Sequence, residues 1–254
     1  MKKTILINAL VGVGLMVGTQ SHAAEIQVLS STVLVGAMQK LAPEFERASG
    51  NKLAVKFEIS PVAMKQLSSK EASPDVAIIT GGGIDDLIKQ MLVVAESKTE
   101  FARTTVGVAV RAGAPKPDIS SVDAVKRTLL AAKSVAYTDP ATGAATGVHI
   151  AKMLDQLGIA EQVKAKAVLG KGAPVGEMIA KGEAEIGFQQ LPELVPTPGI
   201  TIVGGLPTEL QNIVTVKAGV LSASKQQKAA EALVKFFSTP RAKELLKAAG
   251  MDVP

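Results

Sequence analysis

Short apolar runs alternate with amphipathic stretches from Ile26 to the end of the chain. The first run, Ile26 to Leu29, reads as a strand and passes through Ser30, Ser31 and Thr32 into a helical pattern. There Val33, Ala37, Leu41 and Phe45, with Leu34 and Met38 beside them, recur at steps of three and four, which places them on one helical face. One of the three hydroxyl residues is expected to cap this helix, its side-chain oxygen accepting from a first-turn N–H. The remaining N–H groups and the positive end of the helix dipole suit the junction to an anion.

The alternation repeats. Lys52 to Ile59 predicts a second strand, ending at Ser60 and Pro61, with Pro61 in the first turn of a helix that carries Val62, Met64 and Leu67. Asp75 to Ile79 predicts a third strand, and Gly81-Gly82-Gly83 turns into a helix from Ile84 to Leu92. Glu96 to Phe101 is polar and reads as a loop, whereas Thr104 to Val110 predicts a strand long enough to leave one sheet and enter another. After a helix over Ser121 to Ala132, the strand Ser134 to Thr138 runs into a loop of small residues, Asp139 to Gly147, and the helix Val148 to Leu157. The strand Lys166 to Leu169 leads through Gly170-Lys171-Gly172-Ala173-Pro174 into the helix Val175 to Lys181. The strand Ala184 to Phe188 then ends in Gln189 and Gln190. Pro196 to Pro207 reads as turns, Asn212 to Val220 as a long returning strand, and Ser224 to Phe237 and Pro240 to Ala249 as closing helices.

This strand–helix order argues for largely parallel sheets covered by helices, in which ligands sit beyond the carboxyl ends of the strands. Hydroxyl- or glycine-lined junctions recur at Ser31, Ser60, Thr146 and Gly172.

Composition removes several alternatives. Lys2 and Lys3, the apolar run Ile5 to Val17 and the small residues Ser21-His22-Ala23 follow the order of a cleavable export signal, residues 1–23, and predict a soluble periplasmic protein. The apolar run is shorter than the roughly 20 residues a membrane span needs. With no Cys, neither a lipid-anchor cysteine nor a disulfide framework is available. Loss of the two lysines lowers the net charge from +5 to about +3, and the cations are scattered. One Tyr, six Phe and no Trp offer no stacking platform for bases, so nucleic acid is not an expected partner.

Catalysis is not expected either. Beyond the leader, His149 is the single histidine, which excludes Cys–His pairs and His-clustered metal sites. Gly170-Lys171-Gly172 lacks the Lys-Ser or Lys-Thr of a phosphate loop, and Asp85-Asp86 reads as first-turn helix charge. No metal and no cofactor is expected.

Crossing segments near Arg103 to Gly107 and Gln211 to Thr215 divide the chain into one lobe of residues 24–104 and 213–254 and a second of residues 105–212. Leu29-Ser30-Ser31, Ser73-Pro74-Asp75-Val76, Asp139-Pro140 with Gly147 and Ala151-Lys152, and Gly182 to Gly187 follow in an order that resembles the periplasmic molybdate-binding proteins of ATP-binding-cassette transporters. The resemblance implies a two-lobed α/β protein of the type II periplasmic binding fold, each lobe a mostly parallel sheet flanked by helices, joined by two crossing strands. It also implies a monomer that captures an oxyanion such as molybdate or tungstate and delivers it to a permease in the inner membrane. Two hydroxyls, matching Ser31 (or Ser30) and Ser60, and backbone contacts at Thr146, Gly147, Gly172 and Ala173 would hold the anion.

Where that family has a tyrosine, this chain has Gln189 and Gln190. A small di- or tricarboxylate is therefore the alternative ligand, with glutamine amides and the fork of Arg103 as partners for its oxygens. If both glutamines lie on the strand they point to opposite faces, so at most one should meet ligand.

Overall fold

The computed structural model describes residues 23–254, so the leader expected over 1–23 lies, apart from Ala23, outside the described residues. In chain order the elements are β1 (Glu25–Ser31), α1 (Val35–Ser49), β2 (Lys52–Glu58), α2 (Ser60–Ser68), β3 (Val76–Thr80) and α3 (Gly83–Lys89). They continue with β4 (Thr99–Thr104), β5 (Val106–Arg111), α4 (Val122–Ala131), β6 (Val135–Thr138), α5 (Ala145–Gln156), α6 (Ala160–Lys164), β7 (Ala167–Gly170) and α7 (Val175–Ala180). The last are β8 (Ile186–Gln190), α8 (Leu191–Leu194), β9 (Ile200–Gly205), β10 (Val214–Val220), α9 (Gln227–Phe236) and α10 (Pro240–Ala248).

Two five-stranded sheets form, in the orders β2-β1-β3-β10-β4 and β7-β6-β8-β5-β9. In each, four strands run the same way and one, β10 in the first and β5 in the second, runs against its two neighbours, so the sheets are mostly parallel with one reversed strand. The reversal follows from the crossings. Thr105 alone separates β4 in the first sheet from β5 in the second, and the chain returns between β9 and β10.

Each sheet has helices and apolar side chains on both faces. Against the first, the α1 stripe of Ala37, Met38, Leu41 and Phe45 packs with Leu233 and Val234 of α9 and Leu246 of α10, around Phe101 stacked 4.5 Å from Phe237. The opposite face is closed by Leu67, Ile84 and Leu87 against Leu29 and Ile79. In the second sheet Val108, Tyr137 and Phe188 meet Leu129, Ile150 and Leu154 on one face, and Ala109 and Ala136 meet Val175, Ile179 and Leu194 on the other.

Strands β4 and β9 fall where the sequence reads as loop and turns. Both are edge strands, covered on one side only, so each carries polar or glycine positions that dilute its apolar signal. Among the described residues no helix is long and apolar enough to cross a membrane.

Candidate functional site

The C-terminal residues of the six strands paired in parallel meet at one cleft: Ser31, Glu58 and Thr80 from the first sheet and Thr138, Gly170 and Gln190 from the second. Its volume is about 1110 Å³. A tetrahedral oxyanion needs a few water volumes, each about 30 Å³, whereas drug-sized ligands occupy clefts of roughly 300–1,000 Å³.

The helices that start here leave their first N–H groups free of side-chain caps. This holds for the turn after Ser31 that leads into α1, and for α2 and α5, whereas in α7 the Gly176 N–H is taken by a glutamine side chain. By contrast α4 is capped by Ser121, which accepts from Ala124 N at 3.2 Å, and α10 by Thr239, which accepts from Ala242 N at 3.3 Å. The expected cap within Ser30 to Thr32 is therefore absent. Ser31 is buried at the cleft wall without bonding its own helix, and the uncapped donors are available to an anion.

Ser30 is not part of the wall: strand alternation turns it into the core, where its hydroxyl donates to Ser31 O at 3.2 Å. Ser60 is at the wall and pairs with Thr80, with 2.7 Å between the hydroxyl oxygens, while Thr80 N–H donates to Ser60 Oγ at 3.2 Å. Across from them stand Thr146, Gly172 and Ala173. Gly147 lies behind Thr146 in the first turn of α5. A Cβ there would collide with Thr138 O, so glycine is what lets the helix start so close to the end of β6.

Both glutamines reach the cleft, contrary to the expectation of one at most, because the strand ends at Gln190 and the backbone turns into α8. Gln189 Oε1 accepts from Gly176 N–H in the first turn of α7 at 3.3 Å. Gln190 Nε2 donates to Thr146 Oγ1 at 3.0 Å, and its Oε1 has no partner among the described residues. Arg103 is elsewhere. Its guanidinium is tied to Glu100, with Nε donating to Oε1 at 2.9 Å, and it is half exposed outside the wall, so it is removed from the candidate ligand set.

Thr32 and Lys171 also line the wall, together with Thr80 and Glu193, which local sequence patterns did not single out. Burial pushes the Glu193 carboxyl up to about 7, although hydrogen bonds from Thr32, Gln189 and the Gln190 backbone N–H favour its charged form. His149 serves structure, with Nε2 2.8 Å from Leu210 O, and Tyr137, the one tyrosine, is buried in the second core. Asp85 binds Lys217 at 2.6 Å and Lys98 at 2.9 Å, a helix-to-strand tie rather than a metal site. Among the described residues no cluster of three or more His, Cys, Asp or Glu could hold a metal ion.

A family model described as bacterial extracellular solute-binding protein matches residues 26–252. An aconitate isomerase from Pseudomonas sp. is 35% identical over 231 residues, covering 89% of this chain and 87% of that protein. The molybdate-binding protein ModA of Azotobacter vinelandii is 28% identical over 244 residues, covering 94% of each. In structure, the periplasmic molybdate-binding protein of Azotobacter vinelandii overlays with a TM-score of 0.74 at 20% identity, covering 90% of this chain and 99% of that one. The resemblance to molybdate-binding proteins and the two-sheet binding-protein fold expected from the sequence are borne out.

Proposed function

The chain belongs to the bacterial extracellular solute-binding protein family, and we propose that it captures a small polycarboxylate between its two sheets for delivery to an inner-membrane importer. The observation that carries this reading is the cleft itself. Six strand ends and the uncapped N-termini of α2 and α5 face a space of about 1110 Å³, with Lys171, which makes no ion pair among the described residues, in its wall. Several aligned neutral donors can replace the hydration of an anion, and an elongated acid with several carboxylates would use donors spread over both sides. The relative named for aconitate, a tricarboxylate, supports the same class. The N-terminal leader pattern supports a periplasmic location, and the family's role supports a monomeric receptor read by a permease.

A second reading is an oxyanion such as molybdate or tungstate. It is favoured by full-length similarity to a molybdate-binding protein and by the hydroxyls of Ser31 and Ser60. In both readings residues 24–104 with 213–254 and residues 105–212 form lobes that close about Thr105 and the segment before β10, and ligand shifts the population toward the closed form.

Thermal melting of ligand-stripped protein tests the two readings together, since a ligand that binds only the folded state raises the melting temperature. Aconitate, citrate and tricarballylate are expected to shift it. A shift with molybdate and tungstate alone would replace the first reading by the second. Small-angle scattering should show compaction with the ligand that shifts the melt; unchanged dimensions would remove the closure step.

A further inference from the structure

Capture of an anion leaves one group in the cleft without a task. Apart from Glu193, the charged side chains in the wall are Glu58, Asp86, Lys171 and Glu177. Three of them face lysines: Glu58 is 3.2 Å from Lys56, Asp86 2.9 Å from Lys89 and Glu177 3.4 Å from Lys181. The partners of Glu193 are all neutral. An uncompensated carboxyl beside a bound anion repels it when charged, so a pure receptor would gain by replacing it with an amide. Its surroundings are instead those of an acid–base site. Gln189 links the carboxyl to the first turn of α7, and Thr32 stands against it from the turn after β1.

We propose that Glu193 moves a proton between two carbons of a bound unsaturated polycarboxylate, so that the cleft interconverts double-bond isomers as well as holding them. This rests on the polycarboxylate reading above. The charged Glu193 carboxylate removes a proton from the CH2 between a carboxylate and the double bond. The C–H electron pair forms a new double bond to the adjacent carbon, the old double-bond pair shifts to the far carbon, and that carbon takes the proton back from Glu193. Composition is unchanged and no oxidant is required.

Between the two transfers the negative charge spreads onto the carboxylate oxygens. Uncapped N–H groups in the first turn of α5 and the Ser60 N–H at the start of α2, with Lys171, can meet it there without reorganising. A carboxyl titrating near neutrality is present in both forms at pH 7, which suits one group to take and return the proton.

The test uses the full ligand-stripped protein with cis- or trans-aconitate in D2O, followed by proton NMR, with binding measured separately by calorimetry. Expected are deuterium entry at the CH2 position and appearance of the other isomer, with a rate that changes through an apparent pKa near 7. Glu193→Gln should lower that rate by about a hundredfold or more while calorimetry still records binding. Glu193→Asp, which retains a carboxyl, should recover part of it. Binding without appearance of the other isomer in the wild type, or an undiminished rate in a folded Glu193→Gln protein, overturns the inference. Absence of binding would instead remove the polycarboxylate reading, and the proton shift with it.

Discussion

Thr32, in the turn after β1, stands against Glu193, in the short helix after β8, and its hydroxyl favours the charged form of that carboxyl. The contact sets a pH dependence of stability. Glu193 titrates at about 7 in the folded chain, against an ordinary value of 4.5, because burial outweighs its three hydrogen bonds. Between those values the folded state keeps a proton that the unfolded state has released, so stability falls as pH rises from 4.5 to about 7 and then levels. The loss at pH 8 is about 3 kcal/mol at most. Glu193→Gln removes the charge at similar shape, and urea unfolding at pH 5 and pH 8 should then differ less than in the wild type. An unchanged difference would place the titration on another group.

Ser31→Ala and Ser60→Ala should separate binding from folding. A hydrogen bond to a charged partner is worth about 1.5–3 kcal/mol, so each change is expected to weaken ligand binding by roughly ten- to a hundredfold. Ser31 does not bond its own helix and its loss should barely move the melting temperature. Ser60→Ala also breaks the contact with Thr80 and should cost about 1 kcal/mol of stability. Calorimetry of the double variant decides the matter: unchanged affinity would exclude both serines from the site.

The order of strands and helices was legible because periodicity is local, and so was the placement of Ser31, Ser60 and Thr146 at strand-to-helix junctions. What failed to show depended on neighbours distant in sequence. Leu191-Pro192-Glu193-Leu194 carries no motif, and Glu193 acquires its character only from enclosure beside Thr32 and Gln189. Arg103 looked available for a ligand because a sequence does not show that Glu100 has already engaged its guanidinium. The expected serine cap failed for a similar reason: the residue type is right, but the donors it would satisfy are left for the cleft.

Gly147→Ala is expected to weaken both stability and binding without removing any polar group. The added methyl would press on the carbonyl of Thr138 and on the Asp139 backbone, which lies 3.1 Å away, so the start of α5 must retreat from β6. Overpacking of this kind costs about 1–3 kcal/mol. Thr146, one residue earlier, would be displaced from Gln190 and from the cleft. A melting temperature and an affinity equal to wild type would show that the junction has slack.

Asp85 should govern stability at the acidic end. Hydrogen bonds and charge from Lys217 and Lys98 hold its carboxyl down at about 2, against an ordinary 3.8. That contribution is complete above the unfolded value and is lost as pH falls through about 2. Because the group is partly exposed, solvent screening limits it to about 1 kcal/mol. Asp85→Asn should destabilise the chain by that amount at pH 7 and make no difference near pH 1.5; an equal loss at both would indicate packing instead of charge.

Gln211 ties the two crossing segments together, and its removal should alter closure without touching the cleft. Its Oε1 accepts from Val106 N–H at 2.8 Å, and its Nε2 donates to Val106 O at 3.1 Å and to Leu206 O at 3.3 Å. Val106 opens β5 directly after the first crossing, while Leu206 and Gln211 lie on the second, so one amide clamps both. In Gln211→Ala the Val106 N–H loses its acceptor, a cost of about 1–3 kcal/mol. If the clamp only supported folding, the melting temperature would drop and the ligand isotherm would stay put. If it sets the geometry about which the lobes move, the ligand-free ensemble should widen in small-angle scattering, and affinity should fall because the binding-competent arrangement is less populated. An isotherm and scattering profile identical to wild type would leave Gln211 as a structural tie alone.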